Sequence, residues 1–172
     1  WKKGRHARKC VNLVCVREVS SMDSIDLSIL KCLKENSRQT ASMISQTINL
    51  SVSAVIERIR KLEARGMIQQ YTVVLDEKQL GNDLTVFISV RLEHPRFGET
   101  FAKEASAHPN ISECYYIAGD VDYLLKIVTD SSHSLELIHQ DIKEMPGVAW
   151  TKTLYVLSTI KNDVSVLPEQ LA

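Results

Sequence analysis

The sequence lacks net charge, a membrane-length apolar stretch and a metal-binding motif. Its 172 residues contain 21 Lys and Arg against 21 Asp and Glu, so the chain is formally neutral. No stretch approaches the roughly 20 apolar residues of a transmembrane helix. The four cysteines form no Cys-x-x-Cys pair and have no paired histidines at zinc-binding spacing. With 44% apolar residues, the composition is that of an ordinary globular protein without a metal site.

The cysteines are best explained as free thiols. Cys32 falls on the apolar face of a predicted helix and Cys114 in a predicted strand, whereas Cys10 and Cys15 lie near the N-terminus. Buried unpaired thiols are typical of a reducing compartment. We therefore predict a cytoplasmic protein with no metal and no resident cofactor.

Charge is distributed unevenly between the two halves of the chain. Residues 1–80 carry 14 Lys and Arg against 8 Asp and Glu, whereas residues 81–172 carry 7 against 13. Such asymmetry indicates one half that faces nucleic acid and one with another role. Most of the positive excess precedes Met22, however, and residues 22–80 carry 8 against 7. Charge alone therefore gives little support for nucleic-acid binding by the folded part.

Residues 1–21 have the character of a leader. A basic stretch precedes an apolar run that ends at Arg17 and Glu18, and this run is shorter than the roughly 7–15 residues of a signal-peptide core. Met22 begins a sequence that suits a natural start. We interpret residues 1–21 as an artificial or mis-assigned leader; the alternative is a basic arm that contacts DNA phosphate.

The segment 40–68 predicts two short amphipathic helices joined by a tight turn. Thr40 and Ser51 each offer a hydroxyl that can cap a helix N-terminus, and Gly66 suits the position after the second helix ends. Such a pair either packs an ordinary core or places its second helix in the DNA major groove, and spacing alone leaves both open. The second helix carries apolar residues at helical spacing: Val52, Val55, Ile56, Ile59 and Leu62.

Two more elements complete the N-terminal domain that we predict over residues 22–75. Asp23 or Ser24 can cap a first helix that ends near Asn36, which gives the three helices of a minimal helix-turn-helix domain. Residues 68–74 alternate and are rich in β-forming side chains, which predicts a short strand. A polar linker over residues 76–83 then marks the domain boundary.

The second half predicts a domain over residues 84–161, followed by a polar tail over 162–172. Its elements follow the order βαββαβ, the ferredoxin-like split unit, so the chain is expected to be an α+β protein. Both helices should cover one sheet face, and the apolar side chains of the other face predict a homodimer through the sheets. Strands are predicted over 84–92, 111–118, 123–128 and 148–160, and helices over 97–107 and 134–145.

The turn between the middle strands is rich in Gly and Asp. Gly119, Asp120, Val121 and Asp122 can offer backbone N–H groups and a carboxylate, which bind the two charged groups of an amino acid. The same residues suit a plain hairpin turn in which the aspartates bind backbone N–H groups. The turn itself does not decide between the two.

Short motifs also recur along the chain in a characteristic order. They are Ile25-Asp26-Leu27, Ile29-Leu30, Leu50-Ser51, the run Glu57 to Glu63, Gly66, Ile68-Gln69, Tyr71, the run Gly119 to Lys126, and Pro146-Gly147-Val148. In this order and spacing they resemble the leucine-responsive/asparagine-responsive (Lrp/AsnC, feast/famine) family of bacterial and archaeal transcription regulators. The resemblance covers about residues 22–161.

The resemblance implies a winged-type helix-turn-helix domain followed by an ACT-like effector domain. It implies a dimer, or an assembly up to an octamer, that binds double-stranded DNA and responds to an amino acid held between C-terminal domains. The positions implied to reach DNA are Ser51, Ser53, Ala54, Glu57, Arg58 and Lys61. The alternative is structural: Glu57 and Lys61 also form an i,i+4 pair, and basic residues such as Arg60 and Arg65 can simply be solvated. With the turn residues, the effector set is Tyr116, Gly119, Asp120, Asp122, Tyr123, Ser132, Leu154, Tyr155 and Val156.

Two other functions are compatible with this architecture. Some siroheme decarboxylases share it, but such an enzyme needs His and Arg around a tetrapyrrole, and the histidines here are scattered at His94, His108, His133 and His139. The other is an amino-acid sensor that does not bind DNA, in which charge reversal at Arg58 and Lys61 would leave DNA retention unchanged. We expect a regulator of amino-acid metabolism rather than an enzyme.

Overall fold

The computed structural model describes residues 22–169, which form two compact units. One unit runs to Thr72 and takes in the residues from Asp163 onward, and the other is Val73–Asn162. The predicted leader over 1–21, with Cys10 and Cys15, and the tail residues 170–172 lie outside the described part. Within residues 22–169, no helix has the length and apolar character needed to cross a membrane.

The first unit contains three helices, α1 (Ser24–Glu35), α2 (Ala41–Ile48) and α3 (Val52–Ala64). Each begins at a predicted capping residue. The side chains of Asp23, Thr40 and Ser51 accept hydrogen bonds from the backbone N–H three residues later, at 2.8, 3.3 and 3.2 Å. These bonds satisfy N–H groups that have no partner within the helix. The core of the unit consists of Ile29, Cys32, Ile44, Val55 and Leu62.

The apolar residues of α3 do not form the single buried stripe that their spacing predicts. Val55 and Leu62 are buried, whereas Val52 and Ile56 are 41% and 38% exposed. Successive residues turn by about 100° around a helix, so Ile56 points well away from its neighbour Val55. The prediction of one five-residue stripe was wrong for these two side chains.

The strand predicted over residues 68–74 is also wrong, because this described segment has no regular secondary structure. Alternation and β-forming side chains indicate a preference for extended backbone, but this preference does not by itself make a regular strand. Val73 and Val74 are 71% and 69% exposed. Just before them, the hydroxyl of Tyr71 donates to Glu63 at 2.9 Å, and burial together with this bond raises the pKa of Tyr71 to about 12.

The second unit is a four-stranded antiparallel sheet with the βαββαβ order that the sequence predicts. The strands lie in the order β2-β3-β1-β4, and every neighbouring pair is antiparallel. A 3-10 turn, Pro95–Phe97, precedes the first helix of this unit. The elements are β1 (Leu84–Leu92), α4 (Gly98–Ala107), β2 (Ile111–Tyr116), β3 (Tyr123–Thr129), α5 (Ser132–Glu144) and β4 (Val148–Tyr155).

Strand β4 is five residues shorter than predicted. It pairs with β1, and its last bond runs from the N–H of Val156 to the carbonyl of Thr85, one residue from the start of β1. Because β1 begins at Leu84, which this register places opposite Leu157, residues 158–160 extend past the end of β1. Leu157 and Ile160 are 97% and 92% exposed.

One face of the sheet packs against α4 and α5. Alternate residues of β1 and β3 point into this core, including Val86, Ile88, Leu125 and Ile127, and Phe101 of α4 is fully buried with them. The strand registers place the intervening residues on the opposite face. That face, called here the open face, carries Phe87, Tyr115, Leu124, Trp150 and Leu154, together with an ion pair in which Lys126 donates to Glu113 at 2.8 Å.

Candidate nucleic-acid interface and effector surface

Helix α3 has one side in the core and one side in solvent. Val55, Ile59 and Leu62 pack with the other two helices, whereas Ser53, Glu57 and Lys61 are exposed. Ala54 is half-buried and lies between these two sides. A capped helix with an exposed polar side, following a tight turn, has the form of a recognition helix.

Arg58 does not share that solvent side. Its Nη1 atom donates to Oδ2 of Asp23 and to Oδ1 of Asp26, each at 2.7 Å. Both carboxylates belong to the reciprocal cap of α1, in which Asp26 also accepts from the backbone N–H of Asp23. Hydrogen bonds to Asp26 and then Asp23 raise the pKa of Arg58. The guanidinium therefore ties α3 to the start of α1.

The same contact places two carboxylates beside the guanidinium in the neighbouring cleft. A cleft of about 320 Å³ lies between the start of α1 and α3. Asp23 and Asp26 form one wall, so Arg58 is already neutralised where a phosphate would enter. Its lining is Asp23, Asp26, Ala54, Glu57, Arg58, Lys61, Leu62 and Arg65.

The solvent side of α3 also carries the ion pair between Lys61 and Glu57, and the exposed Arg60. Lys61 lies 2.7 Å from Glu57 one turn earlier, and this hydrogen bond lowers the pKa of Glu57. Arg60 is exposed and falls on the same side of α3 as Ser53, close to opposite the buried Val55. Converting residue number into helix angle would have distinguished Arg60 from Arg58, because the two point about 200° apart.

The residues predicted to bind the effector form two groups at opposite ends of the sheet. Tyr116 and Gly119 lie at the end where Val90 pairs with Tyr123. Tyr155 and Val156 lie beside Val86 and Thr85, at the other end of β1. Leu154 precedes them in β4, and Ser132 is the first residue of α5, shortly after the end of β3. Five residues of strand separate Thr85 from Val90, roughly 17 Å, so one copy does not place both groups around one amino acid.

In the first group, Asp122 holds the turn. Its carboxylate accepts from the N–H of Leu92 at 2.7 Å, and its own N–H donates to the carbonyl of Val90 at 2.9 Å. Gly119 is exposed with a φ of +154°, and Asp120 is exposed beside it. The Asp122 carboxylate therefore already serves the backbone, as the hairpin interpretation expects.

Tyr116 and Tyr123 differ sharply in exposure. Tyr123 is 6% exposed, donates from its hydroxyl to the carbonyl of Gly98 at 3.1 Å, and packs its ring 4.7 Å from that of Phe101. Tyr116 is 78% exposed, with its ring 5.2 Å from that of Tyr123. Of this pair, Tyr116 exposes its ring to solvent, and Tyr123 packs against it from the core.

Comparison with known proteins gives matches over both units. A model described as the Lrp/AsnC ligand binding domain matches residues 85–166, and one described as winged helix-turn-helix DNA-binding matches residues 22–69. The chain is 35% identical over 141 residues to the HTH-type transcriptional regulator FL11 of Pyrococcus horikoshii, covering 82% of this chain and 93% of FL11. It is 34% identical over 149 residues to the leucine-responsive regulatory protein of Escherichia coli, covering 85% and 91%.

Solved structures agree with these matches. The transcriptional regulator NMB0573 of Neisseria meningitidis, determined as a complex with L-Met, has a TM-score of 0.82 at 28% identity, over 86% of this chain and 97% of that one. LrpC of Bacillus subtilis has a TM-score of 0.73 at 35% identity, over 82% and 98%. The predicted α+β fold, a helix-turn-helix domain before a ferredoxin-like domain, is confirmed.

Proposed function

The chain belongs to the Lrp/AsnC family of transcriptional regulators, and on that premise we propose that it binds specific DNA sites as a homodimer or larger assembly whose affinity changes when an amino acid binds. The observation that carries this proposal is the pairing, in one chain, of a capped helix with an exposed polar side and a βαββαβ domain whose second sheet face carries partly exposed apolar side chains. DNA binding is assigned to α3, and effector binding and assembly to the second unit.

The open face supports assembly through the sheets. Trp150 and Leu154 are 42% and 46% exposed there, and Phe87 lies between the two strands that carry Leu124 and Leu154. Large apolar side chains on one face of a sheet usually mark an interface. The guanidinium of Arg91 lies 5.8 Å from the centre of the Trp150 ring, so a cation borders the apolar residues.

The arrangement of effector residues supports a site shared between copies. Tyr116 and Gly119 lie at one end of the sheet, and Ser132, Tyr155 and Val156 lie at the other. One small ligand can therefore contact both groups only where one end of the sheet in one copy lies against the opposite end of the sheet in a second copy. The backbone N–H groups at the start of α5 suit the ligand's carboxylate. Asp120 is the predicted partner of its ammonium, because the Asp122 carboxylate is bound to Leu92.

A dimer has defined consequences on DNA. Its two α3 helices should occupy half-sites about 10–10.5 base pairs apart, or a multiple of that spacing. Affinity should fall steeply with salt, because each phosphate contact releases counterions. A DNA-binding regulator acts in the compartment that contains the chromosome, and we propose that this compartment is the cytoplasm.

The proposal is tested by the retention of duplex DNA. Full-length protein is titrated against the upstream region of its own gene and against a scrambled duplex of equal length, at about 50 and 200 mM salt. Each of the twenty amino acids is then added in turn. We expect the protein to bind the upstream region more tightly than the scrambled duplex and to lose affinity steeply at higher salt. At least one amino acid should change the affinity for the upstream region.

The enzymatic alternative is not favoured. The relatives are regulators, and the histidines have separate partners: the imidazole of His139 lies 2.9 Å from Thr151, that of His108 lies 3.4 Å from Asp141, and that of His94 accepts from Arg96. Among residues 22–169, no three His, Cys, Asp or Glu side chains could hold a metal ion together. A sensor that does not bind DNA is the remaining alternative, and retention of neither duplex at low salt would favour it.

A further inference from the structure

Helix α3 exposes two branched apolar side chains near its start. Val52 is 41% exposed and Ile56 38% exposed, although both have the spacing of core residues. They lie one turn apart and are therefore neighbours on the helix surface. A single exposed apolar residue is ordinary, but a neighbouring pair on the first two turns of a helix assigned to DNA calls for a physical explanation.

The pair lies on the side of α3 that is free to enter a groove. Val52, Ile56 and Arg60 follow each other at intervals of four residues and form one row, with Ser53 beside it. The buried Val55 and the α1-bound Arg58 lie on other sides of the helix. The N-terminal residues of a recognition helix are those that reach base edges, and Val52 and Ile56 occupy these turns.

One apolar group is available to such side chains in the major groove. The four base pairs present hydrogen-bond donors and acceptors there, and the only apolar group is the 5-methyl of thymine. We propose that Ile56, backed by Val52, packs against a thymine methyl in each half-site and so makes α3 selective for thymine at that position. This inference rests on the proposed DNA-binding role of α3 and adds the base that it reads.

The experiment removes one methyl group at a time from the DNA. Duplexes are first selected from a randomised library by the full-length protein, and each thymine of the selected site is then replaced singly by deoxyuridine, which lacks only that methyl. For the unmodified protein we expect one thymine in each half-site whose replacement weakens binding about fourfold, the effect of one methyl group removed from water. Ile56→Ala should bind the thymine and uracil duplexes equally.

A matched variant separates methyl contact from general loss of affinity. Arg60→Gln alters a neighbouring side chain in the same row, so it should weaken binding yet keep the fourfold difference between thymine and uracil. The midpoint of thermal unfolding should change little in Ile56→Ala, because Ile56 is 38% exposed and alanine favours a helix.

The results that would overturn the thymine-methyl contact can be told apart from one another. If no uracil replacement weakens binding while the selected duplex is still preferred over a scrambled one, the methyl contact is refuted and the DNA-binding function stands. If Ile56→Ala keeps the thymine preference, or dissociates the assembly, Ile56 has another role and the inference fails. If no duplex is enriched, both the inference and the proposed function fail.

Discussion

Nη1 of Arg58 in the middle of α3 lies 2.7 Å from Oδ1 of Asp26 in the first turn of α1. Asp26 is only 7% exposed, so this contact compensates a carboxylate that is nearly removed from water. A basic residue on a recognition helix is easily taken for a DNA ligand. Here the contact instead fixes the position of α3, the helix to which we assign DNA binding.

Arg58→Met should therefore destabilise the protein. The variant leaves Asp26 without its charged partner, and we expect the free energy of unfolding to fall by about 1.5–3 kcal/mol in urea denaturation. Asp26→Asn in the same chain should recover part of the loss, because an amide costs less to bury. If Arg58→Met were as stable as the parent but lost DNA affinity, Arg58 would be a direct DNA ligand and our assignment would be incorrect.

Ser51 allows helix capping and DNA proximity to be separated. Ser51→Ala removes the acceptor for the N–H of Ala54 and should cost about 1 kcal/mol of stability. Ser51→Asp keeps a capping oxygen and should preserve stability, but its negative charge should weaken DNA binding at low salt. Thr40→Asp places the same charge at the cap of α2 and serves as the comparison for the effect of Ser51→Asp on DNA binding. Equal DNA affinity for Ser51→Asp and the parent would show that the start of α3 lies away from phosphate.

The open face can be tested through Trp150. Trp150→Glu introduces a charge among apolar side chains and should shift the protein from dimer or larger assembly to monomer in sedimentation velocity. Leu137→Glu is the matched control, because Leu137 is 50% exposed on α5, away from the open face. A parent protein that sediments as a monomer at micromolar concentration would rule out the sheet-to-sheet dimer.

His139 should give the second unit a measurable dependence on pH. Burial, and then the charge of Lys143, lower the pKa of this imidazole in the folded state, while Nε2 lies 2.9 Å from the Thr151 hydroxyl. The unfolded chain then binds the proton more readily, so stability should fall as pH decreases through about 6.5. His139→Gln keeps a group able to form a hydrogen bond with Thr151, and it should lack this loss of stability at lower pH. Parallel stability curves for the parent and His139→Gln between pH 7 and 5 would contradict the expectation.

Local rules predicted most of the fold. The caps Asp23, Thr40 and Ser51 are side-chain contacts within one turn, and a sequence displays both partners. The limits of β4 and the absence of a strand over 68–74 depend instead on whether another strand lies alongside. The sequence of one segment does not show which strand will lie beside it. The predicted β4 was therefore too long, and the strand predicted over 68–74 does not form.

The site was less predictable because orientation matters more than residue type. Arg58 and Arg60 are both basic, and helix angle alone separates them, but the sequence does not show that Arg58 binds the cap of α1. Asp122 is a comparable case, because the bond from its carboxylate to the N–H of Leu92 spans two strands. The effector set came from family resemblance, and its division between two ends of the sheet became visible only once the strand registers were known.

We propose that α3 reads DNA under the control of an amino acid. The most direct measurement is fluorescence anisotropy of a selected duplex and a scrambled duplex with full-length protein, with and without each amino acid. We predict tighter binding to the selected duplex, and a change in that affinity with at least one amino acid. Equal binding to both duplexes under every condition would contradict the claim.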